Sequence, residues 1–123
     1  MGSEIGERFA QAIADRDGKA LLTLLSPEID FLAMTPNRVW EATSPAQLVD
    51  DVILGKWFDD NDHIDAVESI EASTVVDVNR VGYRFRVTNP DGTFEVEQQA
   101  YYAVANDQIS WLRIMCSGYR PIH

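Results

Sequence analysis

The feature that most constrains this chain is the punctuation of its second half. Residues 80–88 and 94–105 are long runs in which apolar and polar side chains alternate, and Asn89-Pro90-Asp91-Gly92 lies between them. That tetrapeptide puts proline and glycine where turn dihedrals favour them. A third run, 64–77, comes before, and a fourth, 108–116, follows across Asn106-Asp107. Long neighbouring strands joined by tight turns predict an antiparallel meander with one face to be covered.

The first half supplies the cover. Ile5, Phe9, Ala12 and Ile13 recur at helical spacing, with Glu4 and Glu7 in the first turn, and the pattern ends near Asp15. Asp17 then reads as the N-cap of a short helix whose Leu21, Leu22, Leu24 and Leu25 bury most of its circumference, until Ser26-Pro27 stops it. Residues 29–35 and 38–42 form a short extended pair around Pro36-Asn37. Ser44-Pro45-Ala46-Gln47 is a capping box with proline at the first helical position, and Gly55 stands where the helix should end, so helix three is expected over 44–54. Helices first and a sheet after define an α+β class, and 123 residues with 46% hydrophobic content fit one domain, 1–123.

Period-two alternation assigns the sheet faces. Val81, Tyr83, Phe85 and Val87 point inward, as do Phe94, Val96, Gln98, Ala100, Tyr102 and Val104, which makes Gln98 an inward amide. The last strand is apolar on both sides, with Leu112, Ile114 and Cys116 on one and Ile109, Trp111, Arg113 and Met115 on the other. Both sides need cover, so a homodimer is expected.

Charge removes several functions. Twenty acids against ten bases give a net charge of −10, the wrong sign for a phosphate-backbone partner. The N-terminal stretch carries Glu4, Glu7, Arg8, Asp15 and Arg16, which breaks any signal-peptide core, and no run approaches a membrane span. A single cysteine, Cys116, fits a reducing compartment and excludes an internal disulfide, so a cytoplasmic location is expected. No cofactor and no metal are expected. The acidic segment Asp59-Asp60-Asn61-Asp62 fails as a calcium loop for want of glycine at its sixth position.

A helical hairpin, a short strand pair, a third helix and a four-strand meander ending in Ile109-Ser110-Trp111-Leu112-Arg113-Ile114 resembles the nuclear-transport-factor-2-like superfamily, specifically its SnoaL-like (polyketide-cyclase-like) branch. The local texture of residues 9–17 and 24–29 carries the same likeness. The resemblance implies a cone-shaped barrel, a curved antiparallel sheet closed by helices around a hydrophobic cavity. It also implies a range of activities: isomerases, dehydratases, cyclases, epoxide hydrolases and members without one.

Residue by residue, the family's catalytic patterns are not met. The base and oxyanion positions of the ketosteroid isomerases fall on Ala33, Phe9 and Ala100, none of which transfers a proton. The cyclases rely on a late acid, and here Asp107 is the last. The limonene-epoxide-hydrolase set needs inward acids that the faces above lack. The scytalone-dehydratase histidine pair has only His63 and His123 to draw on.

The remaining candidates are weighed against plainer roles. Asp51 on helix three can aim a carboxylate at the cavity mouth or form the helix's wet side. His63 can act as a base beside the preceding acids or be a solvated loop histidine. Tyr83, Gln98 and Tyr102 can bind a carbonyl or hydroxyl or be satisfied within the core. Cys116 is a nucleophile or packing, and Trp40, Trp57 and Phe58 line an entrance or belong to the core. The expectation is a pocket for a small hydrophobic ligand lined by Phe9, Ile13, Phe31, Val52, Tyr83, Phe85, Gln98, Tyr102, Ile114 and Cys116. Any acid–base chemistry there would fall to Asp51 or His63, with Tyr102 or Gln98 as oxyanion donor. The alternative is a non-catalytic association module using the outer sheet face around Trp111 and Met115.

Overall fold

The computed structural model describes residues 2–122; Met1 and the second histidine, His123, lie outside them. Two helices, α1 (Gly2–Ala14) and α2 (Gly18–Leu24), precede β1 (Leu25–Thr35) and β2 (Arg38–Ala42). Helix α3 (Gln47–Trp57) follows, and then β3 (His63–Val75), β4 (Val78–Asn89), β5 (Gly92–Ala105), β6 (Gln108–Cys116) and the two-residue β7 (Arg120–Pro121). No helix among the described residues is long and apolar enough to cross a membrane.

The strands form one unclosed sheet in the order β2-β1-β6-β5-β4-β3, with β7 added beside the start of β5. Helix α1 lies against β3 and β4, and α3 against α2 and β2. The meander is antiparallel as its turns require, but β1 runs parallel to β6, Phe31 facing Leu112 and Ala33 facing Ile114. The sheet is therefore mixed. A parallel neighbour needs a long crossover, and the whole of β2, α3 and β3–β5 serves as one here.

Local chemistry explains the helix ends. The Asp17 side chain accepts from the Ala20 N–H, capping α2 as its position predicts. Ser44 Oγ accepts from the Gln47 N–H at 3.2 Å, and Gln47 Oε1 accepts from the Thr43 N–H at 3.1 Å, so the capping box forms one residue looser than the ideal. Three expectations are corrected. Strand β1 begins at Leu25, so Pro27 lies inside a strand; it falls where the β1–β6 register shifts between Leu25 and Asp30, and a bulge does not ask proline for a ladder hydrogen bond. Leu22 is exposed and not part of the buried face of α2.

The third correction concerns Gly55, which lies inside α3 and does not end it. The helix is wound with the wider π spacing, closing with the Phe58 N–H on the Ile53 carbonyl at 2.9 Å. A Cβ on Gly55 would lie 2.2 Å from the Asp50 carbonyl oxygen. The glycine is there because the π turn presses two stretches of backbone together.

Candidate functional site

Alternation placed the inner faces of β4 and β5 correctly: Val81, Tyr83, Phe85, Val87, Val96, Gln98, Ala100 and Tyr102 are all buried, while Phe94 and Val104 near the ends of β5 are half-buried. In β6 it failed at one point. Val104 pairs with Ile109 while Ala103 pairs with Trp111, leaving Ser110 as an extra residue, so Ile109 and Leu112 both turn inward. A bulge of one residue reverses every face assignment beyond it.

Rings occupy most of the interior. Phe9 meets Tyr83 edge to face at 6.5 Å, Tyr83 stacks on Phe85 at 5.2 Å, and Phe85 meets Phe58 at 5.9 Å. Phe31 packs on Trp57 at 6.1 Å. Phe9, Ile13 and Val52 are thus core residues of the helical layer, and none of them lines the space that remains.

That space is a cavity of about 170 Å³ beside the end of α3. The last turn of α3 contributes Trp57 and Phe58, and the β1–β2 hairpin contributes Trp40, edge to face with Trp57 at 6.0 Å. Strand β5 presents Gln98 and β6 presents Cys116, while Tyr119, between β6 and β7, completes the lining. Lys56 also lines it, and among the described residues no carboxylate or imidazole does.

The polar groups of the wall are specifically arranged. Tyr83 Oη donates to Gln98 Oε1 at 2.6 Å, which fixes the amide and leaves Nε2, on a residue 1% exposed, without a partner. Trp57 Nε1 is likewise buried and unpartnered. Burial, aided by the neighbouring Cys116 sulfur, pushes the Tyr83 hydroxyl well above the usual phenol range, so it remains a donor to the amide. The Tyr119 hydroxyl is shared between the Trp57 carbonyl and Asp62 Oδ2, and burial followed by the Asp62 charge holds its pKa far above an ordinary phenol's. Asp62 also accepts from Asn89 Nδ2 at 3.0 Å, so this acid of the 59–62 segment anchors the tail over the cavity.

The other candidates lie elsewhere. Asp51 is exposed on the outer side of α3. The His63 side chain is 81% exposed, with Nε2 3.5 Å from Asp65 Oδ1. Neither is among the residues that line the cavity. Tyr102 is buried with its hydroxyl close under Gly6 of α1, and burial raises its pKa, opposed by a hydrogen bond with the Gly6 backbone. Ile114 is buried in β6 and borders a groove on the outer face, so of the predicted lining only Gln98 and Cys116 reach the cavity, with Tyr83 and Phe85 directly behind it. Tyr119 was missed because it follows Gly118, at φ +76°, in a tail with no alternation to read.

The outer sheet face carries a second feature. Met34, Val39 and Met115 are 51%, 59% and 56% exposed, and with Leu32 and Tyr101 they border an apolar groove of about 300 Å³. Trp111, in contrast, is covered by its own chain: the Arg113 guanidinium sits 4.6 Å over its ring and pairs with Asp30 at 3.2 Å.

No family model matches the chain, and no curated protein matches it in sequence. Its fold, however, is that of many solved structures. A candidate isomerase from Rhodopseudomonas palustris superposes with a TM-score of 0.74 at 16% identity, over 96% of this chain and 93% of that one. A candidate polyketide cyclase from Pseudomonas putida gives 0.72 at 12% identity, over 93% and 90%. A candidate SnoaL-like polyketide cyclase from Mesorhizobium loti gives 0.63 at 17% identity, over 93% and 97%. The SnoaL-like fold expected from the order of elements is thus shared with these structures: an α+β arrangement of three helices packed on one sheet, which is mixed and unclosed.

Proposed function

We propose that this chain binds a small, largely apolar molecule bearing a hydrogen-bond acceptor, such as a ketone or aldehyde carbonyl, in the cavity between Trp40, Trp57, Gln98 and Tyr119. The carrying observation is the amide of Gln98, a residue that lines an aromatic cavity: its oxygen is clamped by Tyr83, and its Nε2 is buried without a partner. A buried donor without a partner costs about 1–3 kcal/mol, and a ligand oxygen recovers it. Trp57, another residue of the lining, likewise has a buried and unpartnered Nε1. About 170 Å³ is the room of five or six waters at roughly 30 Å³ each, which suits a compact ketone better than a drug-sized ligand. The wall polarises a carbonyl, and among the described residues its lining holds no carboxylate or imidazole, so binding comes ahead of acid–base catalysis.

Cyclohexanone is the probe of choice, with binding followed by chemical shifts of the tryptophan indole and glutamine side-chain N–H groups. Gln98→Met, made together with Tyr83→Phe so that no hydroxyl is stranded, is expected to weaken binding about tenfold, the value of one such hydrogen bond. Asp51→Asn and His63→Ala are expected to leave it unchanged. Equal binding by the double variant and the parent defeats the reading.

A second reading, association of two copies through the outer face of β1, β2 and β6, is favoured by the adjacent exposed side chains of Met34, Val39 and Met115. Analytical ultracentrifugation is expected to show a dimer that Met34→Glu with Met115→Glu converts to monomer. A parent chain that is monomeric at high concentration removes this reading.

A further inference from the structure

We propose that Cys116 is a covalent attachment point for a small α,β-unsaturated ketone or aldehyde seated in the same cavity, with the Gln98 amide holding its carbonyl oxygen. This rests on the carbonyl-binding reading and adds a reaction to it. Cys116 is half-buried, lines the cavity and is the sole cysteine of the chain. Gln98 stands directly opposite it across the β5–β6 pair. Opposed residues of an antiparallel pair share a face, with Cβ atoms about 4.5–5.5 Å apart. The conjugated frame of an enone spans such a gap, its oxygen toward Nε2 and its β-carbon toward Sγ. The Gly118 N–H points at Sγ from 3.4 Å, a donor for the thiolate. The turn that aims it is held by the Glu97 N–H on Ser117 Oγ at 3.0 Å and by Ser117 Oγ donating to the Gly118 carbonyl at 2.8 Å.

The chemistry balances without a co-reactant. The thiol gives its proton to water, and the thiolate attacks the β-carbon to form a carbon–sulfur bond. The carbon–carbon π bond breaks, and its electron pair passes to the carbonyl oxygen as an enolate that accepts from Gln98 Nε2. A proton then returns from water to the α-carbon, leaving a saturated ketone attached through sulfur. Tyr83, donating to Gln98 Oε1, polarises the amide toward the developing charge.

The test treats the full chain with methyl vinyl ketone and follows intact mass, with iodoacetamide as a reagent that alkylates the same sulfur without developing an oxyanion. One adduct is expected, mapped to Cys116, formed faster than on glutathione at the same pH and absent in Cys116→Ser. Gln98→Met with Tyr83→Phe is expected to slow the enone by about tenfold to a hundredfold, the loss for one donor to a developing oxyanion. Its iodoacetamide rate, which also reports that the site is folded, should stay within about twofold of the parent on the same argument. Equal slowing of both reagents, slowing of neither, or an enone rate no faster than glutathione's overturns the proposal. Cyclohexanone binding separates the two failures: if it persists, only the covalent step is lost, and if it is absent, the carbonyl reading falls as well.

Discussion

Phe85→Ala is expected to lower the free energy of unfolding by about 3–5 kcal/mol, the range for removing a fully buried phenylalanine ring. Phe85 has no exposed surface and sits mid-strand in β4, paired with Val67 of β3 on one side and Val96 of β5 on the other. Its ring is stacked against Tyr83 and meets Phe58 edge to face, so it couples the sheet to the residue that ends α3. Removing it forfeits the buried area and leaves a hole that neighbours held in paired strands fill only partly. In a chain of this size the melting temperature should fall by roughly 12–20 °C. Chemical denaturation with an unchanged slope is the check, because a change in slope would signal a different denatured state. Phe58 also walls the cavity, so ketone binding should weaken in the same variant. A loss below about 1 kcal/mol would mean that the rings around Phe58 collapse readily, contrary to interior packing.

Gly55→Ala is expected to destabilise the protein, although the same change in an ordinary helix stabilises it by about 1 kcal/mol. Here the added Cβ would lie 2.2 Å from the Asp50 carbonyl oxygen, a backbone atom that no rotamer change can move. The π turn must rewind or the helix must shift, and overpacking of this kind costs about 1–3 kcal/mol, more than the propensity gain. The consequence reaches the cavity, because Lys56, Trp57 and Phe58 follow immediately and the Phe58 N–H closes the π turn on Ile53. Lower stability, a shifted tryptophan emission and weaker cyclohexanone binding are expected together. A variant more stable than the parent would show that α3 accepts ordinary α-helical winding.

These two positions differ in how far they could be read in advance. Phe85 was legible because alternation over 80–88 assigns its face whatever the strand pairs with, and burial follows from facing the core. Gly55 was visible as an exception but took the wrong meaning, since glycine near the end of a helical pattern ordinarily marks a C-cap. Pro27 was misread for the same kind of reason: a helix stop and a bulged strand present the same residue, and only the register with β6 separates them.

The candidate site divides along the same line. Alternation alone determined that Gln98 and Tyr83 both point inward among apolar neighbours, and turn chemistry that residues 89–92 join β4 to β5; that Tyr83 stands opposite Gln98 is the register of the folded sheet. Capping chemistry alone determined where α2 begins and marked the approach to α3, and the order of helices and strands determined the class of fold. Only the tertiary structure decided that β1 joins β6 in parallel, that Ser110 bulges and turns Ile109 inward, and that Asp51 and His63 face solvent. It alone brought Trp40, Trp57 and Tyr119 around Gln98 and Cys116. The physical reason is range. Periodicity and caps act between residues a few positions apart, whereas a cavity wall is assembled from segments as distant as Trp40 and Tyr119, whose meeting depends on how every intervening element packs.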